Sequence, residues 1–414
     1  MPNKLPLVDY ASLKAAFEEN LALLYRRGKE SETGDDSFSS AELISFISHA
    51  MHKLEQAQGA DDKFVTVDDR AASLLQTFLA RQSLASGKIV DSGHGPEAKF
   101  DSHDVLGWAG SLFDWLKGLK KHPFITHNDD PKLLGSTLRI GLLSDWGTGL
   151  YGAPVCANSI ERDQHFDMLM HLGDVYYSGD LDEVDARFLK IWPRVEGAIN
   201  RALNSNHEMY SGGYGYFNRI LPDFQQDASY FAYQNAHWLL VGLDSGYLEH
   251  DLCDDQVAWL TRLVSAAGDR RVILFSHHQP FSLFESGGDK LVKKLAKFLD
   301  ASRVFAWYWG HEHRCAIYQK HPVWNLHGRC IGHSGFPYFR DKFKDTSLTK
   351  PGWIKREGKN LVPGCEVLDG PNPYIEEGAK YGPNGYVVLE LDGLNLTEIV
   401  HDADGTVLRA EVLK

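Results

Sequence analysis

The stretch that decides the fold is "TLRIGLLSDWGTG", residues 137–149. Its first half is a buried-type apolar run, which reads as a strand. It ends at a carboxylate, Asp145, with Gly147 two residues later. Beyond Thr137, short β-type runs alternate with helical ones. "HFDMLMHLGD" (165–174) ends in a strand, and "QDASYFAYQNAHWLLVGLDS" (226–245) reads as a hairpin turning near Gln234 and Asn235. "DDQVAWLTRLVSAAG" (254–268) has helical spacing with Asp254 or Asp255 as its cap. Next come a strand, "RRVILFSHH" (270–278), a helix, "GDKLVKKLAKFLDAS" (288–302), and a strand, "RVFAWYWGHEH" (303–313). The last thirty residues read as three strands, one pair turning at Asp404 and Gly405. This alternation predicts a layered α/β fold of two sheets with helices outside.

The front of the chain has a different texture. "YASLKAAFEENLALLYRRG" (10–28), "SSAELISFISHAMHKLEQAQ" (39–58), "VDDRAASLLQTFLARQSLA" (67–85) and "SHDVLGWAGSLFDWLKGLKK" (102–121) all carry apolar residues at helical spacing. The aromatic and Met residues on these stripes read as core, and His49, His52 and His103 as surface or satisfied groups. A break near residues 122–136 divides the chain into an all-α domain, 1–130, and an α/β domain, 131–414.

The 414 residues carry 43 Lys and Arg against 56 Asp and Glu, a net charge of −13. That excludes a generic nucleic-acid binder, which needs a basic face for phosphates. The five cysteines are widely spaced with no CxxC, so neither a disulfide framework nor a zinc ribbon is indicated. With no apolar leader and no membrane-length run, the expectation is a cytoplasmic protein without a membrane span.

Chemistry collects where the strands end. Asp145 follows "LLS", Asp174 follows "MLMHLG", Asn206 and His207 follow "ALNS", His277 follows "VILFS", and His311 and His313 follow "AWYWG". Any one of these alone reads as a turn former or helix cap. Five successive strand-like runs ending in oxygen or imidazole ligands read as one site, because α/β sheets gather sites beyond their carboxyl ends. Carboxylates with imidazoles suit two first-row metal ions. Many metal hydrolases place a histidine two residues after the first Asp, where this chain has Gly147.

The ordered set "SDWG", "GDVYY", "SNHE", "FSHH" and "GHEH" resembles the calcineurin-like metallophosphoesterases over roughly residues 137 to 335. Within them it is most similar to the purple acid phosphatases, which also have Gly in place of the first His. Those enzymes carry a Tyr three residues after the second Asp, which falls here on Tyr177, leaving Tyr176 to packing. The resemblance implies a two-sheet metallophosphoesterase sandwich binding Fe(III) plus a divalent Fe, Zn or Mn. Asp145, Asp174, Tyr177 and His313 would hold the trivalent ion. Asp174, Asn206, His277 and His311 would hold the divalent one, with Asp174 bridging. Charge supports the pairing: a tyrosinate adds one negative charge, and raising one ion to the trivalent state restores the balance.

The resemblance also implies a function. A small phosphate monoester would be hydrolysed by attack of a metal-bound hydroxide, with His207 as general acid and Glu208 orienting it. A phosphodiesterase on cyclic nucleotides or phospholipid headgroups is the alternative, and a non-catalytic scaffold a third reading. The pocket histidine of the secreted enzymes is missing from "FSLFESGGD" (281–289), which leaves His278, Glu285 or His333 to compensate. Ser205 replaces a family glycine. The Gly-rich "YSGGYGYF" (210–217) has no P-loop Lys and is expected to edge the pocket, with Tyr214 and Tyr216 facing substrate.

Overall fold

The computed structural model describes residues 14–15, 17–18, 21, 40–57, 68–85, 90–91, 96–97, 112, 115–116, 118–340, 354–357, 360–375 and 378–414. The main helices are α1 Ser40–Ala57, α2 Arg70–Ala85, α3 Gly152–Asp163, α4 Asn206–Tyr210, α5 Asp254–Ala266 and α6 Asp289–Asp300. The main strands are β1 Lys132–Leu133, β2 Thr137–Leu143, β3 Met168–His171, β4 Ile199–Ala202, β5 Phe231–Gln234, β6 Trp238–Gly242 and β7 Arg271–Ser276. They continue with β8 Val304–Trp309, β9 Cys315–Tyr318, β10 His327–Ile331, β11 Cys365–Val367, β12 Gly385–Asp392, β13 Asn395–Asp402 and β14 Val407–Leu413.

These strands form two sheets. One has eight strands in the order β11-β9-β10-β8-β7-β6-β5-β1, and the other six in the order β14-β13-β12-β2-β3-β4. At the heart of each lies a parallel set: β6, β7, β8 and β10 in one, β2, β3 and β4 in the other. The expected hairpin is present, β5 pairing antiparallel with β6 and Asn235 turning the chain. So is the one between β13 and β14, where Gly405 takes a φ of 96° that its missing Cβ permits.

Period-two alternation decides which face each strand residue covers. On β7, Ile273 and Phe275 point between the sheets, while Val272 and Leu274 point outward. On β8, Ala306 and Tyr308 face inward, and Trp307 and Trp309 outward. The inward set meets Ile140, Leu142, Met168 and Val387 of the opposite sheet, making a shared core. Outside the eight-stranded sheet, α5 and α6 bury Trp259, Leu263, Leu291 and Phe298. Outside the six-stranded sheet, α3 buries Cys156 and Ile160. The result is a helix–sheet–sheet–helix sandwich. Each fully buried Leu, Ile or Phe contributes about 1.5–3 kcal/mol to holding the layers.

The front of the chain forms a separate apolar cluster. Ile47 and Leu54 of α1, Leu75 and Phe78 of α2, and Phe17, Leu112 and Leu116 are all buried in it. Most of the first expected helix, and much of the one over 102–121, lie outside the described residues. Helix α2 docks on the sandwich: Arg70 Nε donates to the Tyr210 carbonyl at 3.0 Å, and Thr77 Oγ1 lies 2.8 Å from Ser178 Oγ. Among the described residues no helix is long and apolar enough to cross a membrane.

Candidate metal centre

The parallel strands deliver their side chains to one rim. Asp145 lies just beyond β2, Asp174 beyond β3, Asn206 and His207 at the start of α4 after β4, His277 beyond β7, and His311 and His313 beyond β8. Of the groups of ligand atoms that converge there, two share a carboxylate, one from Asp145, Asp174 and His313, the other from Asp174, His277 and His311. Asp174 belongs to both. Its Oδ1 is 3.2 Å from His277 Nε2 and its Oδ2 is 3.7 Å from His313 Nε2. Asn206 joins the second group, Oδ1 lying 3.0 Å from His277 Nε2, and His311 Nδ1 is 3.3 Å from the same nitrogen.

The backbone is strained where it carries these groups. Asp145, Asp174, His311 and His313 all have positive φ, between 52° and 77°. Each such non-glycine residue costs about 1–3 kcal/mol, and such strain clusters at functional sites. His311 and His313 are therefore placed by a turn and not by strand alternation. A tight turn after Trp309 aims both inward and buries Glu312 between them, against Ser282 Oγ at 2.6 Å and Trp309 Nε1 at 2.8 Å. Gly310 makes that turn possible, since a Cβ there would sit 1.9 Å from Ser144 Oγ.

The donor set fits cations. Asp145 Oδ1 is buried with no hydrogen-bond partner among the described residues, 3.5 Å from His313 Nε2. His277 Nδ1 donates to the Leu172 carbonyl at 2.8 Å, which turns its Nε2 lone pair into the cluster. The electrostatics carry the same mark. Burial, together with the charge of Asp174, pushes the Asp145 carboxyl up to about 6. Burial disfavours charge on His277, yet Asp174 foremost, then Asp145 and Glu208, raise it to about 9. A proton on His277 offsets the crowded carboxylates, a task cations would perform. On His311 burial wins, helped by His277, and lowers it to about 4.

The position next to Gly147 is filled from the neighbouring strand end. Tyr176 N donates to the Gly147 carbonyl at 2.8 Å, and its hydroxyl lies 2.5 Å from His313 Nε2 and 3.2 Å from Asp174 Oδ2. A Cβ on Gly147 would lie 3.2 Å from Phe336 Cβ. The tyrosine at the cluster is thus Tyr176, where the family resemblance pointed to Tyr177. The segment after Asp174 turns instead of extending, so counting alternate residues misassigns its faces. The Tyr177 ring lies 5.4 Å from the Arg187 guanidinium, its N–H donates to Glu183 Oε1 at 2.7 Å, and its carbonyl accepts from His207 Nδ1 at 2.6 Å.

That last bond leaves His207 Nε2 as the nitrogen available for proton transfer. The ring centroid lies 4.1 Å from that of Tyr176 with the planes tilted by 38°, and burial lowers its pKa while Asp174 opposes the fall. Glu208 does not orient His207. It points the other way round α4, accepting from the N–H groups of Asp174 at 3.3 Å and Val175 at 3.2 Å and from Ser205 Oγ. Burial, then Asp174, raises it to about 7. Ser205 suits its place because its φ is −130°, and its hydroxyl caps α4 by accepting from His207 N at 3.1 Å.

The expected substrate residues separate. His278 is buried beside the cluster, its ring 4.7 Å from His311 and 4.0 Å from His250, its Nδ1 3.0 Å from Ser245 Oγ. Tyr216 is core, its hydroxyl bonded to the Ala202 carbonyl at 2.7 Å, and Tyr214 packs edge-on against His122. His333 is buried under the start of β12, accepting Gly385 N at its carbonyl. Glu285 reaches the rim, 3.5 Å from His311 Nε2. Sequence reasoning missed His250 and Asp68. Asp68 comes from the helical front and reaches Asn206, Tyr210 and His311.

With this geometry in hand, residues 138–315 match the calcineurin-like phosphoesterase family. The matched stretch carries Asp145, Asp174, Asn206, His207, His277, His311 and His313. Solved structures similar to the chain include GAP50, described as the anchor in the inner membrane complex of Plasmodium, at 13% identity and a TM-score of 0.46, covering 68% of this chain and 89% of that one. PhoD is similar at 12% identity and a TM-score of 0.44, covering 68% of this chain and 69% of that one. A comparison with curated proteins gave no match.

Proposed function

We propose that the chain is a binuclear-metal phosphatase acting on small phosphate monoesters. The observation that carries this reading is Asp174, whose two oxygens serve two converging groups of ligands. Asp145, Asp174, His313 and Tyr176 would hold one ion; Asp174, Asn206, His277 and His311 the other. A pair of such ions polarises the phosphoryl group and lowers the pKa of bound water from 15.7 toward about 7. The protein's own part is positional. His277 and His311 are locked by neighbours, Phe336 walls one side, and His207, with Nδ1 held by the Tyr177 carbonyl, would in its imidazolium form protonate the leaving oxygen from Nε2. A phenol oxygen among the ligands of the first ion favours Fe(III) there, with a divalent Fe, Zn or Mn beside it.

We assign residues 1–130 to the helical domain and 131–414 to the catalytic one. All five cysteines are free thiols, which supports a reducing, cytoplasmic setting. The test compares p-nitrophenyl phosphate with its bis ester, before and after chelation. Monoester turnover that chelation abolishes supports the reading. Faster turnover of the diester replaces it with a phosphodiesterase, and no turnover of either by metal-loaded protein overturns it.

A further inference from the structure

The second ligand group depends on an amide, and an amide can present either end. Asn206 must offer Oδ1, not Nδ2, to a cation. Both of its N–H bonds are engaged: Nδ2 donates to Asp68 Oδ1 at 2.7 Å and to the Tyr210 hydroxyl at 2.9 Å. The hydroxyl gives its one proton to Asp68, so toward the amide it accepts. The carboxylate accepts from both and can do nothing else. Turning the amide over would set Oδ1 against the Asp68 carboxylate. Asp68 therefore fixes which atom faces His277. Its other oxygen lies 3.9 Å from His311 Nε2, the outward nitrogen of a second residue in the same group.

Asp68 is not part of the sandwich. It sits one residue before Asp69, which caps α2 by accepting Ala72 N at 2.9 Å and ties α1 through His49 Nε2 at 2.7 Å. Asp69 does the capping, so Asp68 is left to reach outward. Arg70 then anchors the same turn to α4, the helix that carries Asn206. Resting on the binuclear reading above, we propose that Asp68 is a positioning residue by which the helical domain sets the polarity of Asn206 and completes the second cation site.

The test strips the full-length protein with chelator and titrates it with Mn(II) by equilibrium dialysis. Thermal unfolding is followed in parallel. Wild type is expected to bind two ions per chain. Asp68→Asn is isosteric but no longer discriminates between the two ends of the amide. It is expected to keep one ion at wild-type affinity and to bind the second about 10- to 100-fold more weakly, without loss of thermal stability. Asp68→Ala should show the same selective loss. Wild-type affinity for both ions in both variants overturns the inference while leaving the binuclear reading intact. Fewer than two ions in wild type overturns that reading, and the inference with it.

Discussion

The Tyr176 hydroxyl lies 2.5 Å from His313 Nε2, on the side of the cluster where Gly147 offers no side chain. An aromatic oxygen from one strand end thus stands beside an imidazole from another, with both Asp carboxylates around them. If a trivalent iron occupies this group, Tyr176→Phe removes its phenolate. The purified protein should then lose the visible charge-transfer band and bind the first ion more weakly. Tyr177→Phe should keep the band, because that ring packs toward Arg187. A band that survives Tyr176→Phe and disappears in Tyr177→Phe would reverse the assignment.

The shared carboxylate gives a prediction about stoichiometry. Asp174→Asn removes negative charge from both ligand groups, whereas Asp145→Asn touches only one. Elemental analysis after dialysis should find both ions depleted in the first variant and one in the second. The affinity lost should exceed the roughly 10–100-fold typical of changing an outer partner. Equal depletion by both substitutions would mean that Asp174 does not bridge.

How far the sequence carried this picture depended on which residues obey a simple period. β7 and β8 alternate faithfully, so their placement, and the emergence of His277 and His311 at strand ends, could be read from spacing. Tyr176 and His313 lie in turns, where period two no longer applies; there the family pattern pointed to Tyr177, while the turn brings the Tyr176 hydroxyl to His313. Tyr216 failed differently: a Gly-rich run suggested a loop, but its hydroxyl finds the Ala202 carbonyl in the core. Asp68 was illegible because its partners lie some 140 positions away, at Asn206 and Tyr210, and no local pattern announces a contact of that range.

His207 should matter to the chemistry more than to the fold. Its Nδ1 is held by the Tyr177 carbonyl, leaving Nε2 for the leaving group. His207→Ala is expected to lower kcat by about 10²–10⁴-fold. The loss should be smallest for p-nitrophenyl phosphate, whose leaving group needs little protonation, and larger for an alkyl phosphate. Mn(II) stoichiometry should be unchanged. A uniform loss across leaving groups would point to binding instead of proton transfer.

His333 predicts how the fold responds to acid. Burial pushes this imidazole down to about 4, from an ordinary value near 6.5 in the unfolded chain. Above about pH 6.5 both states are neutral there and the full stability is present. As pH falls, the unfolded chain takes up a proton that the folded one refuses, so stability drops by up to about 1.4 kcal/mol per pH unit until the folded group titrates. Between pH 7 and pH 5 this amounts to about 2 kcal/mol. His333→Leu abolishes that contribution. Urea unfolding at the two pH values should show wild type losing about 2 kcal/mol more than the variant on acidification. The remaining acid sensitivity belongs in part to His171 and His327, which burial lowers to about 3 and about 4. Identical losses in wild type and His333→Leu would show that His333 is already protonated, or exposed, in the folded protein.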